Sequence, residues 1–227
     1  MFVLAVSMIG AISASEAAVP KRDPEKSRII LSHALIQDEF SGLEIKPIVK
    51  AFMSWMEETK GDILIIPPEE ADVAFYELAM KDDTGEVDVF EADLQHDSAI
   101  KEPWGDKCRH TFYVLRAKSK STVVKAIDGA IDGEIRQVMA FTFVGCMYKF
   151  IVVVADRMKD ENVMYTTMLH ELGHMWGLPD NKEGNTSIMN GVYPGATCIT
   201  RRDLQEVYEH HGKPTQVPTE TGCTVIN

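Results

Sequence analysis

The stretch HELGHMWGLPD, residues 170–180, decides how this chain is read. It sets two histidines four residues apart, a glutamate directly after the first, a glycine three after the second and an aspartate three beyond that. Residues four apart share one face of a helix, so on a helix His170 and His174 present imidazole nitrogens to one point. Zinc accepts neutral imidazole at about 2.0–2.1 Å. Glu171 lies about 100° round the helix from His170, too offset to ligate but within reach of a water at the metal, the geometry of a general base. A catalytic zinc needs three protein ligands and an open position. Gly177 supplies the route to the third, because glycine takes the left-handed conformation that ends a helix and turns the chain. Pro179 stiffens the return, and Asp180 is placed to bind the ion from a second direction. With 7 histidines, 35 acidic residues and 15 glycines in 227 residues, the five fixed positions would match by chance about 0.0004 times per chain, and HExxH alone about 0.03 times. Chance does not account for the longer pattern.

The rest of the chain bounds what surrounds this segment. Its length and 45% hydrophobic content suit one domain, or two small ones. The net charge of -12 disfavours nucleic acid and anionic membrane as partners. No internal apolar run approaches the ~18 residues of a spanning helix. Residues 1–18 are apolar and small, which predicts a secretory signal peptide without the usual basic start; a first strand or helix of the domain is the competing reading. Residues 19–27 read as a polar linker, 28–212 as the folded domain and 213–227 as a tail. Cys108, Cys146, Cys198 and Cys223 make an even count in a chain read as exported and lack the CxxC spacing of zinc ligands, so two disulfides are expected; three pairings are open, and proximity of the segments favours 108 with 146 and 198 with 223.

Strands are predicted over 28–35, 62–68, 71–80, 110–117, 138–144 and 149–156, the last two as a hairpin-like pair meeting near Gly145. Residues 81–107 read as an acidic surface excursion. A helix is predicted over 43–61, with Ile45, Ile48, Val49, Phe52 and Met56 as its core face and Gly61 as its stop. Trp55, Trp104 and Trp176 are expected in the core or in satellite clusters. Two Asp-Gly pairs in 121–137 predict solvated turns, with a loop Ca2+ site as a weaker alternative. Helices follow over 162–177 and 200–212. Strands and one long helix come first and helices follow the histidine motif, an α+β arrangement.

HELGHMWGLPD resembles the long zinc motif HExxHxxGxxH/D of the metzincin metalloproteases. SIMN, with Met189 nine residues after Asp180, is similar to their Met-turn. ITRRDLQEVYEHHG resembles the closing helix of matrixin-type catalytic domains, and VKAFMSWMEET their first long helix. The likeness is specific over 160–212 and coarse over 28–160. It implies a metzincin-type zincin: a twisted mixed sheet, a long first helix, an active-site helix and a C-terminal helix. It implies a secreted zinc endopeptidase, with one catalytic Zn2+ on His170, His174 and Asp180, Glu171 as base and acid, and Met189 in the Met-turn. An extended peptide would pair with an exposed edge strand of the sheet, and the chain is expected to be a monomer. Two features depart from the matrixin pattern. The third ligand is aspartate, as in the small snapalysin-like members, and the turn reads MNGVYPG rather than MYP. Tyr193 lies four residues past Met189 and is a candidate for either a transition-state hydrogen bond or the pocket wall.

Two alternatives keep the histidines. In a gluzincin-type peptidase the third ligand would be Asp203 or Glu206 on the last helix. In a zinc-stabilised binding or adhesion protein the site would persist without turnover. The remaining histidines, His33, His96, His110, His210 and His211, show no ligand spacing and are expected to be structural or exposed.

Overall fold

The computed structural model describes residues 29–36, 40–66, 111–130, 137–144, 149–181, 187–190, 196–219 and 221–223. The expected leader and linker, the expected strand at 71–80, the expected acidic excursion, Trp104, Tyr193, Cys108 and Cys146 lie outside them. The described elements are β1 Ile30–Ile36, α1 Gly42–Glu58, β2 Ile63–Ile66, β3 Thr111–Ala117, α2 Thr122–Ala130, β4 Ala140–Val144, β5 Lys149–Val154, α3 Glu161–Met175 and α4 Arg201–His210. The strands form one mixed sheet in the order β2-β1-β3-β5-β4. β1 and β3 run parallel, as do β3 and β5, while β4 pairs antiparallel with β5. Five mixed strands and four helices are compatible with the expected α+β class.

The chain divides into two compact units. One contains described residues 33–36, 111–130, 137–144 and 149–157; the other contains 29–32, 40–66 and those from 158 onward. In the first, Tyr113, Leu115 and Ala117 of β3 stand opposite Phe150, Val152 and Val154 of β5, and all six are buried in one cluster with Val124 of α2. The intervening Phe112, Val114, Ile151 and Val153 are buried as well. Strands buried on both faces need apolar residues throughout, which explains their continuous apolar runs.

The Asp-Gly pair at 128–129 corrects the turn expectation. It lies inside α2 rather than in a solvated loop. Asp128 accepts two hydrogen bonds from the Arg157 guanidinium, at 2.9 and 2.6 Å, and one from the Val138 N–H. The Arg157 bond leads the causes that hold the Asp128 carboxyl below the usual carboxylate range. A carboxylate so occupied serves as a clamp and no longer reads as a loop cation ligand.

In the second unit α1 packs on α3. Ser41 caps α1 with a capping box closed by Glu44, and the chain turns after it through Gly61 at φ +80°. The buried face of α1 is Ile48, Ala51, Phe52 and Trp55. Val49, expected inside, is 41% exposed. Trp55 decides this rotation. It is fully buried, and its indole N–H donates to the Leu169 carbonyl of α3 at 3.0 Å. The large ring and its one donor are satisfied together only with that face turned inward. At the far end of α1, buried Tyr208 of α4 donates to Asp62 at 2.8 Å. Cys198 and Cys223 form the expected disulfide, which ties the tail to the segment before α4. No described helix is long and apolar enough to cross a membrane.

Trp55→Phe removes both ring volume and the only donor to Leu169 from α1. It is expected to destabilise the fold by about 1–3 kcal/mol. A urea titration should show a lower midpoint with an unchanged slope. An unmoved midpoint would contradict the anchoring role of the indole.

Candidate metal centre

α3 carries the two histidines. Asp160 starts it, its carboxylate accepting from the N–H groups of Asn162 and Val163. The helix is buried around most of its circumference, from Val163 and Met164 through Met168, Leu169 and Leu172 to Met175. It ends as the sequence predicts. Gly177 has φ +89°, the Leu178 N–H reaches back to the Gly173 carbonyl, and the Gly177 N–H reaches the His174 carbonyl, both at 3.0 Å. This pair of bonds is the Schellman motif, which only a left-handed residue closes readily. A side chain at Gly177 would also collide with the His210 ring.

The reversed chain delivers Asp180. Its Oδ1 lies 3.2 Å from His170 Nε2 and 3.4 Å from His174 Nε2, and the two Nε2 atoms are 3.1 Å apart. A tetrahedral ion with bonds of about 2.0–2.1 Å would set its ligand atoms about 3.3–3.4 Å apart, so the triangle has the size of one face of such a site. The imidazole side chains are 15% and 22% exposed and Asp180 is 46% exposed, so the triangle opens to solvent on one side.

Each ring is oriented by a backbone carbonyl. His170 Nδ1 lies 2.9 Å from the Ile188 oxygen, and His174 Nδ1 lies 2.8 Å from the Leu178 oxygen. A carbonyl only accepts, so both Nδ1 atoms carry the proton and donate it. In the neutral rings both Nε2 lone pairs are left facing Asp180. This outer contact is the one that fixes tautomer and ring plane in metal-ligating histidines. The donor set therefore fits a divalent ion such as zinc. Glu171 is buried beside the triangle on the same helix, and its charge is felt by both imidazoles.

Met189 is fully buried in the turn 187–190. Its sulfur lies so close to Gly173 that a Cβ there would collide with it. Gly173 occupies a variable position of the HExxH pattern, so the motif alone does not mark it. The Met189 carbonyl accepts from the Asn181 N–H at 2.7 Å, which ties this turn to the residue after Asp180.

Neither alternative third ligand joins the group. Among the described residues, only His170, His174 and Asp180 bring ligand atoms together in this way. Asp203 is fully buried, with its carboxylate accepting from Ser187, Ile188 and Thr200. Glu206 accepts from Arg202 at 3.0 Å. Asp203 also closes a capping box with Thr200 at the start of α4. His211 lies 3.1 Å from the Trp176 carbonyl, a structural contact as expected. No family model, curated protein or solved structure matches this chain.

Charge explains how the triangle titrates. Burial lowers the His170 pKa, but the Asp180 contact, the Glu171 charge and the Ile188 carbonyl outweigh it and raise it to about 9. His174 is raised in the same sense. Burial raises Asp180, but its bonds to the two imidazoles hold it well below the usual carboxylate range. Below pH 9 a proton therefore occupies the position a metal would take, and a metal must displace it. Zinc affinity is expected to rise with pH between about 6.5 and 8, by up to tenfold per unit for one displaced proton. Calorimetric titration in two buffers of different ionisation enthalpy reads that proton directly. Affinity independent of pH, with no proton release, would contradict this electrostatic account.

Proposed function

We propose that this chain is a secreted zinc-dependent endopeptidase of metzincin type. The observation that carries the reading is the convergence of two Nε2 atoms and one carboxylate oxygen, with both Nδ1 atoms committed to carbonyls. The buried Glu171 beside them supports catalysis over a purely structural site, which has no use for a base. The Gly177 reversal and the Met189 turn support the metzincin-type arrangement, with Asp180 as third ligand. The Cys198–Cys223 disulfide supports an oxidising compartment.

His170, His174 and Asp180 would hold the ion. Bound there, zinc supplies Lewis acidity that polarises a peptide carbonyl and lowers the pKa of a water. Glu171 takes the proton of the attacking water and passes one to the leaving amine. Glu171 stands on α3 next to His170, buried, and its charge is felt by both imidazoles. The half-exposed side of the triangle leaves room for an extended peptide to approach.

The test combines zinc content with casein or gelatin cleavage, with and without a chelator. The wild-type chain is expected to hold about one zinc and to lose activity on chelation. Glu171→Ala should keep the zinc and lose about 10²–10⁴-fold or more in rate, because the base is gone while the ligands remain. Asp180→Ala should lose zinc, and Glu206→Ala should not. A Glu171→Ala variant that cleaves as fast as wild type would overturn the mechanism. Zinc loss confined to the Glu206 variant would move the third ligand to α4.

A further inference from the structure

We propose that Asp203 is the positioning residue for His170, acting through the turn that carries Met189. The proposal rests on reading His170, His174 and Asp180 as a metal centre. Asp203 stands in the first turn of α4 with no solvent exposure. A buried carboxylate survives only where donors replace its water. Here the Ser187 hydroxyl donates to Oδ1, while Oδ2 receives the Ile188 N–H at 3.2 Å and the Thr200 N–H and hydroxyl, each at 2.7 Å.

Ile188 is thereby gripped at both ends. Its N–H is held by Asp203, and its carbonyl accepts the Nδ1 proton of His170 at 2.9 Å. Ser187 extends the grip, because its hydroxyl oxygen also accepts from the Met189 N–H at 3.0 Å. One carboxylate thus fixes three successive residues: one orients a ligand ring, and the next packs against Gly173 between the two histidines. Capping α4 requires only the Thr200 contacts. The bonds to 187 and 188 exceed that need, and they run toward the metal-facing ring.

A cap alone and a positioning residue differ in what they move. Loss of a cap lowers stability and leaves the metal site unchanged. Loss of positioning changes ligand geometry and metal affinity. Asp203→Asn offers one acceptor oxygen in place of two and turns an NH2 toward a donor. Cobalt(II) binding to the full chain is the probe, read by its visible absorption and its dissociation constant. Far-UV circular dichroism and the urea midpoint establish folding. Asp203→Asn is expected to bind cobalt about 10–100-fold more weakly and with altered band positions, the range typical of losing an outer contact of a ligand. Ser187→Ala should shift both readings in the same direction by less, and it carries the test should the Asp203 variant not fold. Val207→Ala, fully buried on the same helix, should lower the urea midpoint and leave cobalt binding and its spectrum unchanged. Wild-type spectrum and affinity in folded Asp203→Asn would overturn the positioning role, and so would equal shifts in Val207→Ala. Absence of cobalt binding by the wild-type chain, or undiminished binding by His170→Ala, would overturn the metal centre itself and this proposal with it.

Discussion

Two hydrogen bonds on the far sides of two rings set the terms for everything else at 170–180. His170 gives its Nδ1 proton to Ile188, and His174 gives its own to Leu178. Each is worth only about 0.5–1.5 kcal/mol as a contribution to folding. Their consequence is larger than their energy, because they choose the tautomer. With Nδ1 committed, the Nε2 lone pairs point at one another and at Asp180 across 3.1–3.4 Å. Three acceptors at that distance repel unless a cation or a proton stands among them. The raised histidine pKa and the lowered Asp180 pKa express the same fact in protons.

One carbonyl, Leu178, lies inside the motif and the other, Ile188, lies past its end, and each needs its own support. Leu178 is fixed by the end of α3 itself: the left-handed Gly177 lets the chain fold back so that the Leu178 N–H bonds Gly173 while its carbonyl meets His174. Ile188 is fixed by long-range contacts, through Asp203 and the buried Met189 turn. Gly173 lies where these supports meet. It accepts from Leu178 and leaves the room that Met189 fills. The helix is held in turn by Trp55, whose indole bonds the residue just before His170. A site built on a packed helix and two pinned turns is held to tighter geometry than one hung on a loop.

Much of this was legible where the rules are local. The spacing of His170, Glu171, His174, Gly177 and Asp180 needs only helix geometry and a left-handed stop, and the fold brings the three ligand candidates together as that geometry requires. The spans of β1 to β5, α1, α3 and α4 were legible to within a few residues from apolar runs and glycine stops, whereas α2 was not. The inner face of α1 was read one residue off at Val49, because periodicity does not say that Trp55 must reach a carbonyl on α3. The Asp-Gly pair at 128–129 signalled a turn, and a tertiary ion pair with Arg157 kept it in a helix. Asp203 looked like a rival ligand because an acid on the last helix is one by pattern. Its partners, 15 and 16 residues upstream, are set by packing that no local pattern encodes. Gly173 was invisible for the same reason.

The proposed centre holds one zinc on His170, His174 and Asp180. X-ray absorption at the zinc edge of the purified chain measures the ligand shell directly. The expected shell is two imidazole nitrogens at about 2.0–2.1 Å, carboxylate oxygen at about 2.0–2.2 Å and no sulfur. That shell should lose an imidazole in His174→Ala. A shell containing sulfur at about 2.3 Å, or one unchanged by His174→Ala, would place the metal elsewhere and contradict the account.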